Sequence, residues 1–304
     1  MKRNTLWPYF VLLLTGIIWG LGFSLVRLAT ENGAHPFGLA LWQVSVGAAI
    51  LVIACLVSGR IRLFNRSHIR HYFVVAMTGS AVPGVLYFAA GQHVPAGILA
   101  MTVALVPMLT YLTASLLRLD AWVLRRTFGI LFGFAAVYLI IVPRAGLPDP
   151  AMIPWVLVAL VSALSYTIEN LYVDSRVPGN ADMLILLTGA SVIATLILLP
   201  LNLVAGTLLP LAMPWTITEY AIFSLALSNV VAYLMFLKLI KSAGAVFASQ
   251  VGYLVTLAGV FWGIGLFAER HSIYVWIALV LMLLGIMLVT PRMDELNVSS
   301  RETL

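Results

Sequence analysis

The stretch LWPYFVLLLTGIIWGLGFSLVRLA, residues 6–29, carries a single charged side chain, Arg27. A bilayer-spanning helix needs roughly 20 apolar residues, and this run exceeds that. Lys2 and Arg3 stand just before it, as in a signal peptide. The apolar run from Trp7 to Ala29 is too long for a signal-peptide core, and no small-residue cleavage site follows, so it reads as a retained first helix. A plain anchor would be leucine throughout. This one holds Gly16 and Gly20 one turn apart, Trp19 at mid-depth, Ser24, and Arg27 near the far end. Gly16 and Gly20 form a small-xxx-small pair, which lets a second helix backbone approach closely.

The same kind of run recurs along all 304 residues, of which 62% are hydrophobic and 9% charged. Soluble domains carry about 25% charged residues, so an ordinary soluble fold is excluded. The class is an all-α polytopic membrane protein. Ten spans are expected, at about 7–29, 37–58, 71–91, 95–117, 123–142, 152–173, 182–205, 216–240, 244–267 and 273–290. Cys55 is the single cysteine, so no intrachain disulfide is possible. The net charge of +6 is scattered between apolar runs and does not suggest nucleic acid. With the N-terminus cytoplasmic, fourteen Lys and Arg fall on inside segments, while Arg144 and Arg270 fall outside. That bias places both termini in the cytoplasm. The basic stretch 60–71 then reads as a topological determinant in contact with anionic lipid.

The chain also repeats itself. LWPYFVLLL at residue 6 resembles IPWVLVALV at 153, and Pro8 and Tyr87 match Pro154 and Tyr233 at a shift of 146. AGILA at 96 meets GAVFA at 244, and VPR at 142–144 meets TPR at 290–292. Five helices thus resemble the next five, as repeats 1–146 and 147–292, followed by a cytoplasmic tail, 293–304. Five is odd, so the second copy enters the membrane from the opposite side. Inverted repeats of this kind characterise secondary transporters, with the binding site at the midplane between them.

Three segments carry a family likeness: WGLGFSLVRLA at 19–29, ILAMTVALVPMLTYLTASLL at 98–117 and AVFASQVGYLVTLAGVFWGIGLFAER at 245–270. The sequence resembles the drug/metabolite transporter superfamily in its ten-helix EamA-type branch. That resemblance implies a carrier of small metabolites with a central cavity lined by helices 1, 3, 4, 6, 8 and 9. Two positions depart from the family pattern. Gln43 stands where an arginine is common, and Val255–Thr256 replace a usual helix-9 proline. Helix 9 is accordingly expected to be straight.

Charges deep in a membrane are costly and point to function. Glu169, in SYTIENLYVD, is the candidate for proton coupling; its alternative is an inner-end acid paired with Arg176 or Lys241. Asn229 and Tyr233 share a helix face, as do Gln250 and Tyr253. With Trp19, Tyr87 and Tyr166 they form the expected substrate cavity. Arg27 is a candidate outer gate; its alternative is a headgroup anchor assisted by Glu31. Glu269 reads as outer surface. Pro83 and Pro107 are candidate hinges.

No Walker A, HExxH or GxSxG motif is present, and no cofactor or metal is expected. The expectation is a secondary active transporter of a small polar or amphipathic metabolite, such as an amino acid. It would work by alternating access in a bacterial inner membrane, as a proton-coupled or solute-exchanging exporter. Uptake, or an enzyme acting on lipid-linked substrates, is the alternative. A monomer holds both halves and suffices, and a dimer is compatible.

Overall fold

The computed structural model describes residues 6–31, 33–141, 147, 149–178, 180–211, 213–243, 247–248 and 250–290. Among them all regular structure is helical. The helices are α1 (Trp7–Thr30), α2 (Pro36–Val57), α3 (Arg66–Gly91), α4 (Ala96–Leu116) and α5 (Leu124–Ile141). They continue as α6 (Ile153–Arg176), α7 (Met183–Ala205), α8 (Ile217–Ala243), α9 (Val251–Phe267) and α10 (Ile273–Val289). Eight are long and apolar enough to cross a membrane; α9 and α10, at 17 residues each, are shorter. At 1.5 Å per residue, 17 residues still extend about 26 Å. The repeat boundary at residue 146, the tail 293–304, the matched segments 142–144 and 244–246, and Lys2, Arg3, Arg144, Arg292 and Arg301 lie outside the described residues.

Local chemistry starts and stops these helices. Proline stands in the first turn of α1, α2 and α6, where a missing N–H costs nothing. Asp182 caps α7 by accepting from Leu184 N at 2.9 Å and Ile185 N at 3.2 Å. Gly206, at φ 65°, ends that helix in the left-handed region.

The main helix partnerships follow one rule. α1 packs on α8 and α9, as α6 packs on α3 and α4. α2 packs on α8, as α7 packs on α3. The pairs α2–α7, α4–α9 and α5–α10 complete the set. Exchanging each helix for the one five places on maps this set onto itself.

Small residues set the closest crossings. Gly16 lies on Leu254, and a Cβ at Gly20 would stand 2.6 Å from the Ala258 Cβ and 2.8 Å from Gly259 N. Trp262 Nε1 donates to Ile17 O at 3.1 Å across the same seam. Between α5 and α10, a Cβ at Gly129 would meet Gly285 O at 2.7 Å. The paired glycines of the first span thus serve helix-to-helix contact.

Two helices are interrupted. α3 changes winding at Met77–Ala81, and α4 breaks between Val103 and Val106, one residue before Pro107. Pro107 itself is exposed. α9, which lacks the proline, runs unbroken from Val251 to Phe267. Replacing Gly20 with leucine should cost about 1–3 kcal/mol through overpacking, seen as a lower Tm. Gly265→Leu, where a Cβ meets nothing within 4 Å, should leave the Tm nearly unchanged.

Candidate functional site

The interruption in α3 organises the centre of the molecule. From Met77 to Ala81 the backbone winds as a π-turn, and Val82 N–H donates to Met77 O, five residues back. In that register Thr78 O would take the N–H of residue 83, but Pro83 has none. Ser165 of α6 supplies the missing donor: its Oγ donates to Thr78 O at 2.9 Å. One turn away, Ser162 Oγ donates to Pro83 O at 3.3 Å. π-turns inside α-helices are rare and concentrate at functional sites.

Four residues beyond Ser165 on the same helix comes Glu169. Its carboxylate lies against Gly79 of the π-turn, so closely that a Cβ there would overlap it. Glu169 is half-buried, and among the described residues the carboxylate has neither a hydrogen-bond nor an ion-pair partner. Arg176, its expected partner, is exposed, and the Lys241 side chain lies outside the described residues. Tyr166 stands three residues before it on α6. Tyr87 is buried and stacks on Tyr166 with ring centroids 6.2 Å apart. Thr102 gives its single hydroxyl proton to Leu99 O, so in the 3.0 Å contact with Tyr87 the phenol donates.

The neighbouring positions extend this group. Phe23 is 6.3 Å from Tyr87, and Trp19 packs on Phe236 at 5.4 Å. Asn229 is half-buried, without a partner among the described residues, one turn from Tyr233. Gln43 Oε1 faces Gly84, just past the α3 proline, 3.9 Å from where a Cβ would stand. The structure therefore brings Tyr87 onto Tyr166, three residues before Glu169 on α6, with Phe23 on the other side of Tyr87, while Trp19 packs on α8 through Phe236. Tyr253 turns elsewhere, toward Thr290 and Arg125. Gln250 stands at the start of α9.

Arg27 belongs to a second cluster, at the opposite end of the molecule. Its guanidinium pairs with Glu269 and lies 4.3 Å from the Phe267 ring centroid. Glu31 is exposed and is not that partner. Glu269, expected at the surface, is instead buried, with a side chain only 5% exposed. It accepts from Ala96 N at 2.8 Å and Gly97 N at 3.1 Å, so it caps α4. His271 Nε2 stands 3.3 Å from the same carboxylate. One side chain thus ties α1, the start of α4, the end of α9 and the approach to α10. The partners are 173 and 242 residues distant in sequence, and no local pattern signals them. Burial alone would push the Glu269 carboxyl up, but the His271 ring, the Gly97 and Ala96 amides and Arg27 together hold it below the usual carboxylate range.

The basic segment 60–71 is partly engaged. Arg60 pairs with Asp182 at 2.8 Å, and His71 Nδ1 meets the Tyr172 hydroxyl at 3.0 Å. His93 is exposed and stacks on Trp155 with ring centroids 3.9 Å apart.

Comparison with known proteins gives a consistent result. The EamA-like transporter family matches residues 6–142 and again 153–290. The uncharacterized inner membrane transporter YedA of Escherichia coli K12 is 27% identical over 300 residues, covering 95% of this chain and 93% of its own length. Its namesake from E. coli O157:H7 matches to the same extent. One solved crystal structure aligns over 93% of this chain and 96% of its own with a TM-score of 0.62, at 17% identity, a likeness of fold.

Two outcomes are expected from these clusters. Ser165→Ala strands the Thr78 carbonyl and should destabilise the fold by about 1–3 kcal/mol, while Ser175→Ala, exposed at the end of the same helix, should not. Glu269→Gln should lower the Tm at neutral pH. Because the folded carboxyl titrates below its unfolded value, its contribution is full above the unfolded pKa and is lost as pH falls through the folded one. The Tm gap between parent and variant should therefore close in acid; a gap independent of pH would refute the role of the charge.

Proposed function

Because this chain belongs to the EamA-like transporter family and is an integral, multi-pass protein of the inner membrane, we propose that it is a secondary active transporter exporting a small metabolite in exchange for protons. The observation that carries this reading is the packing pattern that maps onto itself when each helix is exchanged for the one five places on. The two successive family matches, 6–142 and 153–290, agree with it. Both support repeats 1–146 and 147–292, the odd helix count of each supports opposite orientation, and the Lys and Arg distribution supports two cytoplasmic termini. Such an arrangement gives alternating access when one half rocks against the other around a central site.

In this mechanism Glu169 is the proton carrier. Among the described residues its carboxylate has no counter-charge, so a proton can neutralise it inside the membrane. Tyr87, Tyr166, Tyr233, Asn229 and Trp19 line the substrate path, with Gln250 at its inner end, while Tyr253 lies off it. The Arg27–Glu269 tie closes the outer end, and substrate release requires it to open. Pro83 and Pro107 mark the points where α3 and α4 bend. No energy source beyond an ion or solute gradient is needed, and a monomer contains both halves.

The test uses protein purified in detergent and screened by thermal shift against amino acids, nucleosides, sugars and amines, since a ligand of the folded state raises the Tm. Hits are then followed in proteoliposomes under an imposed pH gradient. The expected result is gradient-driven flux that Glu169→Gln reduces by about tenfold or more, in the range typical for removing a proton-transfer group. Gradient-driven flux unchanged in that variant would remove Glu169 from the coupling role.

A further inference from the structure

We propose that the end of the molecule tied by Arg27 and Glu269 holds a carboxylate-binding site that Glu269 itself fills, and that the carboxylate of the transported solute takes the place of Glu269 there. The proposal rests on the transporter reading above and narrows its substrate from small metabolites in general to solutes that carry a carboxylate.

A built cradle surrounds the Glu269 side chain. Oε1 takes the Arg27 guanidinium and the Ala96 N–H, and Oε2 takes the Gly97 N–H at 3.1 Å. Two glycines form the walls. A Cβ at Gly263 would stand 2.5 Å from Oε2, and one at Gly97 would stand 3.1 Å from it. The His271 ring completes the set, with Nε2 3.3 Å from Oε2 and a side chain only 3% exposed. That nitrogen is buried and has no hydrogen-bond partner among the described residues. When it carries the proton it is a donor beside the carboxylate that is not yet used. An arginine and amides at a helix start bind a carboxylate through charge-assisted hydrogen bonds, and no side chain projects from either glycine into the space.

These donors recognise a carboxylate, whichever molecule brings it. Glu269 is delivered to them by a strained turn: Ala268, just before it, lies at φ 50°, in the left-handed region that is costly for a residue with a Cβ. Ala268 and Arg270 on either side are exposed, so the Glu269 side chain has water to move into. Leaving alone would strand the Arg27 charge and two helix amides, and unpaired buried donors are costly. A solute carboxylate that enters as Glu269 leaves satisfies the same donors and keeps the charge of the cradle unchanged. A neutral or cationic solute offers nothing to Arg27, and the tie stays closed.

Thermal shift on the purified full-length protein reads the site directly. Glu269→Ala vacates the cradle, and sodium acetate should then raise the Tm in a saturable way, as a ligand of the folded state does. Sodium chloride and sodium phosphate at equal ionic strength should not. In the parent the same rise should need at least about tenfold more acetate, because Glu269 competes for the cradle. Glu269→Gln fills the cradle without the charge and should fall between the two, which keeps the test open if Glu269→Ala does not fold. Gly263→Ala puts a methyl where Oε2 lies, and Arg27→Gln removes the charge; added to either Glu269 variant, each should abolish the acetate response. No acetate response in the Glu269 variants, a response matched by chloride or phosphate, equal sensitivity in the parent, or a response that survives Gly263→Ala and Arg27→Gln would overturn the proposal. Counterflow in proteoliposomes keeps the two readings apart. Flux of solutes without a carboxylate, insensitive to Arg27→Gln, sinks the role of the site in transport and leaves the transporter standing. An intact acetate response without flux of any screened compound strikes the transporter reading instead.

Discussion

Every backbone N–H and C=O inside a bilayer must find its partner within the protein, because lipid offers none. The rest of this structure depends on that constraint. It makes all the described regular structure helical, and it makes each departure from an unbroken helix a position that a side chain must repair. α3 departs at the π-turn and Pro83, and Ser165 and Ser162 of α6 repair it. α4 begins with free amides, and Glu269 at the end of α9 takes two of them. In both places the repairing side chain comes from the other half of the chain. The helix defects are therefore also the points where the two halves are bonded to each other.

The correspondence between the halves ends at the chemistry. α3 has a π-turn and a buried proline, whereas its counterpart α8 runs as one continuous helix. Phe23 of α1 sits in an aromatic contact, whereas Glu169, at the matching position of α6, presents an unpartnered carboxylate. The main packing partnerships obey the exchange of halves, and the π-turn and the candidate acid do not.

Much of this was legible in the sequence, for a physical reason. Hydropathy is a local property, so the spans could be located without knowledge of tertiary contacts, and a lone glutamate among apolar residues marked Glu169. Gly16 and Gly20 announced a close crossing, though not that α9 would fill it. What escaped depends on distance or rotation. Pro83 promised a kink, but the π-turn and its serine donors are an agreement between two helices, and Ser162 and Ser165 look like ordinary helix residues. Glu269 looked like a surface acid because its partners come from α1 and the start of α4. Tyr253 shares a face with Gln250 by spacing, yet the rotation of α9 carries its phenol toward Thr290.

Glu269 also sets the manner in which its end of the molecule can come apart. Two carboxylate oxygens serve Arg27, two backbone amides of α4 and the His271 ring together. These contacts are not independent, since a carboxylate that swings away loses all of them in one step. The Gly16–Leu254 packing and the Trp262–Ile17 hydrogen bond do not depend on it, so that step frees the Arg27 guanidinium and the start of α4 while α1 stays on α9.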